Sequence, residues 1–252
     1  MHTNSQSSHA RKIQKQKNCI DDLQHYQNLK TEFNMKNDII IAGVGGQGIL
    51  SIAAIIATAA VNNNLYIKQS EIHGMSQRGG EVESHLRISS TPIASDLIPT
   101  GAADMIISLE PMEALRYVPW LKPEGWIITN NQPFLNIPNY PPINDILNEI
   151  KKIPHHIMMN ADEIARELGS EKAANMVVLG AATRCLDIPY EEIEKAIRHF
   201  FGRKGEEIVN MNLSALAKGR EIAILKLEGE KEKMRDEEME ERRDEENKTV
   251  KG

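Results

Sequence analysis

The sequence predicts an α/β fold, a Rossmann-like, mostly parallel sheet with helices on both faces and a C-terminal helical extension. Three observations carry that expectation. The β-branched run Ile39–Ala42 passes through Gly43-Val-Gly45-Gly46-Gln47-Gly48 straight into an alanine-rich helical stretch. Short apolar runs then alternate with helical periodicity, the pattern of a parallel sheet connected by crossover helices. Beyond residue 168 only helical patterns remain.

Taken in chain order, Ile39–Ala42 is apolar on both faces, as a central parallel strand must be. The helix Ile49–Asn62 carries Ala53, Ala54, Ala57, Ala59 and Ala60, small enough for close packing on a sheet. Leu65–Ser70 reads as the next strand. Glu81–Ile88 sets Val82, Ser84, Leu86 and Ile88 against Glu83, His85 and Arg87, a period of two with one wetter face. Met105–Leu109 is a strand, and Glu110–Leu121 a helix with Pro111 in its first turn. Trp126–Asn130 is a further strand, followed by a proline-rich excursion from Pro133 to Pro142. Ile157–Asn160 reads as the last strand and Ala161–Leu168 as a helix closed by Gly169. Helical patterns follow at Ala174–Cys185, Tyr190–Phe201 and Asn212–Leu227.

The chain has 252 residues, enough for one substantial core with appendages. Residues 1–36 are rich in Gln, Asn, Ser and Lys and read as a disordered polar extension, with Met35 a candidate translation start. The globular domain spans 37–228. The tail 229–252 is nearly all Glu, Arg, Lys and Asp, a composition that makes a solvated helix and cannot bury a core. No apolar run approaches the ~20 residues of a membrane span. The N-terminus has no apolar core of a secretion signal. The only cysteines, Cys19 and Cys185, give neither a disulfide framework nor a metal-ligand cluster. They are also too few to house an iron–sulfur cluster alone. A reducing, cytoplasmic setting is expected. With a formal net charge of -6 and no dominant basic face, nucleic acid is not an expected partner.

Two glycine-rich elements concentrate the chemistry. In the first, Gly43-x-Gly45-x-x-Gly48 fits the dinucleotide-binding spacing, where backbone N–H groups at a helix start face an anion. Glu71 stands 23 residues after Gly48, near the spacing of a ribose-binding carboxylate. The same glycines also serve simple helix–strand packing, so both uses are open. Gln47 departs from a plain phosphate loop, and its amide is placed to reach a ligand or a partner. The second element, Ser70-Glu71-Ile-His73-Gly74-Met-Ser-Gln77-Arg78-Gly79-Gly80, is too polar for a core. Arg78 suits phosphate or carboxylate, or an ion pair with Glu71, Glu81 or Glu83. His73 suits either a structural hydrogen bond or proton transfer. At the carboxyl edge of a parallel sheet the two elements fall together. No nucleophile–base set, carboxylate pair or metal spacing stands out, so no residue is assigned as catalytic or metal-binding.

These two elements occur in order with Ile98-Pro99 and Leu109-Glu110-Pro111-Met112-Glu113-Ala114-Leu115-Arg116-Tyr117-Val118-Pro119-Trp120-Leu121. Together they resemble the gamma-type domain of the 2-oxoacid:ferredoxin oxidoreductases, in the form of the indolepyruvate ferredoxin oxidoreductase beta subunit. The resemblance runs from about Asp38 to Lys218. It implies oxidative decarboxylation of a 2-oxoacid with coenzyme A to an acyl-CoA, CO2 and reduced ferredoxin. It also implies an alpha subunit as partner, carrying thiamine diphosphate and the iron–sulfur clusters. On this resemblance Gly43, Gly45, Gly46, Gln47 and Gly48, with His73, Gln77 and Arg78, are the cofactor-binding candidates. They would either hold coenzyme A or substrate, or shape the partner's pocket. The alternatives are a free-standing NAD-binding dehydrogenase using Glu71, and a non-catalytic scaffold.

Overall fold

The structure, a computed structural model, describes residues 35–74, 79–135 and 137–250, the stretch 230–250 as backbone only. The polar extension expected over 1–36 therefore lies, apart from Met35 and Lys36, outside the described residues. Six strands form one sheet: β1 (Lys36–Val44), β2 (Tyr66–His73), β3 (Glu81–Ser89), β4 (Ala103–Ser108), β5 (Leu121–Asn130) and β6 (His156–Met159), in spatial order β2-β3-β1-β4-β5-β6. β1, β4, β5 and β6 run parallel. β3 is antiparallel to both β1 and β2. The reason is connection length: the segment 74–80 is too short for the dozen or more residues of a parallel crossover, so β2 and β3 close as a hairpin. This corrects the order that a plain dinucleotide fold implies, because β3 separates β2 from β1.

β1 divides the core. Ile39 and Ile41 face Met105, Ile107 and Ile128 under α1 (Ile49–Asn62), while Ile40 and Ala42 face Ile106 and Ile127 on the other side. The second face is covered by α2 (Pro111–Arg116) and α3 (Ile143–Lys151) through Ala114, Ile146 and Ile150. The first carries a deeper helical layer that adds α4 (Ala161–Glu167), α5 (Ala174–Ala182), α6 (Tyr190–Phe201) and α7 (Glu206–Val250). Gly180 of α5 and Gly219 of α7 let these helices touch main chain to main chain. A Cβ on either would overlap the backbone of Leu216 or Val177.

Several boundaries differ from expectation. The helix expected over Glu110–Leu121 stops at Arg116 and gives way to a 3₁₀ turn, Val118–Trp120. Pro119 explains the break, since the residue before a proline is pushed out of the helical region. β5 accordingly begins at Leu121. α3 occupies a stretch for which no element is expected. The helix placed over Asn212–Leu227 and the charged tail are one helix of 45 residues, about 68 Å long. No helix among the described residues is long and apolar enough to cross a membrane.

The β3 side of the second face is polar but fully bonded. Arg87 clasps the buried Asp38 with Nε–Oδ1 at 2.7 Å and Nη2–Oδ2 at 3.0 Å. The buried His85 accepts the Ile98 N–H at Nδ1, 3.0 Å away, which leaves its proton on Nε2, 3.9 Å from Glu83 Oε1. Burial depresses the His85 pKa below the ordinary 6.5, with Glu83 opposing. The folded imidazole thus binds a proton less readily than the unfolded one, so stability falls as pH drops below 6.5. His85→Gln, which keeps an acceptor for Ile98, should show a flatter stability–pH curve there by urea unfolding. Parallel curves for the two proteins would contradict the assignment.

Candidate functional site

The carboxyl edge of the sheet is built around the turn after β1. Gly48, in the left-handed region at φ 88°, is the N-cap of α1 and offers no side chain to cap it. The first N–H groups of that helix therefore point outward without a capping side chain. Gly46 is also left-handed, at φ 103°. The Gln47 side chain folds back: its Oε1 accepts the Val44 N–H at 2.8 Å, and its Nε2 donates to Leu109 O at 3.1 Å. A Cβ on Gly43 would lie 2.8 Å from Gln47 Oε1, so only glycine leaves room for that fold-back. The Gln47 amide is spent inside the chain, fastening the turn to the end of β4. Gly45 N–H donates to Gly80 O at 2.8 Å, which joins the two glycine elements directly.

A cavity of about 690 Å³ opens beside this turn, within the size range of small-molecule sites. Gly46, Gln47 and Gly48 form one wall, with Leu109 and Asn130 from the ends of β4 and β5. Lys172 and Asn175 at the start of α5, and Lys204, Met211 and Asn212 around the start of α7, form the opposite side. Asn130 shapes the floor, accepting the Ala161 N–H at 3.0 Å and donating to Asp162 at 2.8 Å. Glu171 pairs with Arg166 at 3.0 Å, so both carboxylates on the rim are held by chain partners. Asn175 donates to Gly48 O at 3.3 Å while its buried Oδ1 finds no partner among the described residues. Lysine ammonium groups, backbone N–H groups at helix starts and neutral amides make a surface suited to anionic oxygens.

A strap after β5 borders the cavity through Phe134. It is pinned by Glu110, whose carboxylate accepts the Glu113 N–H at 2.9 Å, the Phe134 N–H at 3.4 Å and the Tyr140 hydroxyl. Ser108 Oγ in turn donates to Glu110 O at 2.6 Å.

Of the residues singled out from the sequence, Gly46, Gln47 and Gly48 line the cavity and Gly43 and Gly45 support the turn behind them. His73 is half-exposed on the edge strand β2, its Nε2 3.4 Å from Glu71, and does not line the cavity. Gln77 and Arg78 lie outside the described residues. Glu71 is two interstrand spacings from β1, about 10 Å, and accepts from Gln69 at 2.6 Å. A ribose-binding carboxylate must end the strand next to β1, so this corrects the NAD-binding alternative. Lys172, Asn175 and Lys204 are absent from the sequence reading. Their only local signal is a position at or before a helix start, which many residues share.

Residues 38–222 match the family model for pyruvate ferredoxin/flavodoxin oxidoreductase. An indolepyruvate oxidoreductase subunit IorB from Archaeoglobus fulgidus is 41% identical over 75% of this chain and 96% of its own length. The gamma subunit of a keto/oxoacid ferredoxin oxidoreductase from Geobacter sulfurreducens superimposes with a TM-score of 0.54 at 27% identity, covering 75% of this chain and 99% of that one. A 2-oxoglutarate:ferredoxin oxidoreductase from Magnetococcus marinus shares the fold, with a TM-score of 0.62 at 24% identity. The match covers 75% of this chain and 31% of that one.

Gln47→Ala should strand the buried Val44 N–H and leave the Leu109 C=O only its long bond from Asn130 at 3.5 Å, and cost about 2 kcal/mol in urea unfolding. A loss below about 0.5 kcal/mol would show that the amide does not hold the turn.

Proposed function

The chain belongs to the pyruvate ferredoxin/flavodoxin oxidoreductase family, and from that premise we propose that it is the beta subunit of an arylpyruvate (indolepyruvate-type) ferredoxin oxidoreductase. The reaction is oxidative decarboxylation of the 2-oxoacid with coenzyme A, giving an acyl-CoA, CO2 and reduced ferredoxin. The relative from Archaeoglobus fulgidus, which matches three-quarters of the chain, supports this substrate class. Thiamine diphosphate and iron–sulfur clusters, held by the alpha subunit, would supply the decarboxylation and electron-transfer chemistry. This chain's two cysteines are too few to hold an iron–sulfur cluster alone. Of its two cysteines, Cys185 is half-buried, and desolvation pushes its thiol up to about 11, away from the thiolate a cluster needs. A cytoplasmic heterodimer of the two subunit kinds fits this division of labour.

The contribution of this chain is to bind and orient. Its cavity receives the anionic oxygens of coenzyme A against the turn 46–48, the uncapped start of α1, and Lys172 and Lys204. Arg78 of the second glycine element lies outside the described residues and remains, from the sequence, a further candidate for those anionic oxygens; the rim closes against the alpha subunit. The observation that carries this reading is the Gly45–Gly80 hydrogen bond, which makes the two glycine elements one edge.

Reconstitution with the alpha subunit tests it. A Lys172→Gln/Lys204→Gln variant should assemble normally and raise the KM for coenzyme A about tenfold, equivalent to about 1.4 kcal/mol. Arg78→Ala should act in the same direction. Loss of assembly in Arg78→Ala would make the rim a docking surface only, and unchanged kinetics in both variants would remove the coenzyme role.

A further inference from the structure

We propose that Asn175 is a specificity residue of the cavity: its side-chain Oδ1 accepts a hydrogen bond from an N–H or O–H group of the same ligand whose anionic oxygens lie on the glycine turn. The proposal rests on the coenzyme reading above and adds the chemical feature that the site reads besides charge. Asn175 lines the cavity and is 7% exposed. Its Nδ2 donates to Gly48 O, while its buried Oδ1 has no partner among the described residues. A buried acceptor left unpaired is costly and rare in native chains, so an orphaned one calls for a cause.

The neighbouring amides supply the contrast. Gln47 uses both ends of its amide inside the chain, on the Val44 N–H and Leu109 O. Asn130 does the same with the Ala161 N–H and Asp162. Of these three cavity amides, Asn175 alone keeps an acceptor open. The bond it does make is dispensable, at 3.3 Å to a carbonyl that already accepts the Ser51 and Ile52 N–H groups at 3.1 and 3.3 Å. Packing does not call for an amide either, since residues 176–182 of α5 are all buried and carry no polar side chain. Yet the turn is shaped to admit this one: a Cβ on Gly48 would lie 2.4 Å from Asn175 Nδ2.

Two opposite polarities therefore meet at one point of the wall. Gly48 leaves the first N–H groups of α1 without a side-chain cap, a seat for a negative oxygen. Asn175, packed against the same Gly48, sets an acceptor beside those donors. A bare inorganic anion satisfies the helix start and leaves the acceptor empty. A phosphate ester that carries a hydroxyl or an amide a few bonds from its phosphate satisfies both, and coenzyme A has such groups on its ribose and its pantetheine arm. A site whose buried polar atom needs a ligand donor rejects ligands that lack one, because the atom is then left unpaired.

The test reconstitutes the full chain with the alpha subunit and compares wild type with Asn175→Leu, which keeps the branched shape and removes both polar atoms. Asn175→Ala serves as a second variant, and circular dichroism verifies folding of each. In both, the KM for coenzyme A should rise about tenfold, with the loss falling on KM rather than kcat. The inhibition constant of sulfate against coenzyme A should stay within about twofold of wild type, since sulfate is an anion without a donor. In urea, Asn175→Leu should unfold at the same concentration as wild type or higher, because the unpaired acceptor is gone. A KM within about twofold of wild type in both variants would overturn the proposal and leave the coenzyme reading standing. A tenfold rise for sulfate in parallel would also overturn it, because the side chain would then shape the anion seat instead of reading a donor. So would a lower unfolding midpoint in both variants, which would show Oδ1 to be satisfied in the free chain. If neither sulfate nor Lys172→Gln/Lys204→Gln affects the use of coenzyme A, the coenzyme reading fails and this proposal fails with it.

Discussion

The Gln47 side chain is the fastening on which the carboxyl edge depends. A glycine turn is soft, because glycine loses more conformational freedom on folding than any other residue. Here the amide of a residue inside the turn binds the Val44 N–H behind it and the Leu109 carbonyl across the sheet. The turn is thereby fixed to two neighbouring strands, and its remaining N–H groups are aimed before any ligand arrives. Gly45 then extends the fastening to the second element through Gly80. Preorganised backbone dipoles are worth more than mobile ones because nothing reorganises when the anion binds.

The cavity exists because the two faces of the sheet are covered unequally. On the second face α2 and α3 cover β1, β4 and β5. On the first, α5 and α7 approach backbone to backbone at Gly180 and Gly219, which fixes the starts of both helices over the strand ends. Those starts bring Lys172, Asn175 and Lys204 opposite the glycine turn. The site therefore depends on packing some distance from it.

Much of this was legible in the sequence. Ile39–Ala42 and the glycine turn announced a central strand entering a helix, and both lie where the spacing puts them. The two glycine elements share an edge as expected, although the reason is a hairpin that returns there rather than an all-parallel sheet. The hairpin was missed because period-two alternation in Glu81–Ile88 marks a strand without giving its direction. α3 was missed although Ile143, Ile146, Leu147 and Ile150 have helical spacing; the prolines up to Pro142 masked a helix that starts right after them. The far wall of the cavity was not legible at all, since Lys172 and Lys204 follow Gly48 by more than a hundred residues and only the tertiary fold joins them. Gln47 was recognised as unusual, but its partner Leu109 is 62 residues away and could not be named.

The central claim is that one rim, made from both glycine elements, faces the partner and the coenzyme. Hydrogen–deuterium exchange on the full chain, alone and with the alpha subunit, tests it most directly. The account predicts new protection at residues 43–51 and 74–81, increasing again when coenzyme A is added, with α3 unchanged. Protection confined to other surfaces, with both glycine elements exchanging as in the isolated chain, would contradict it.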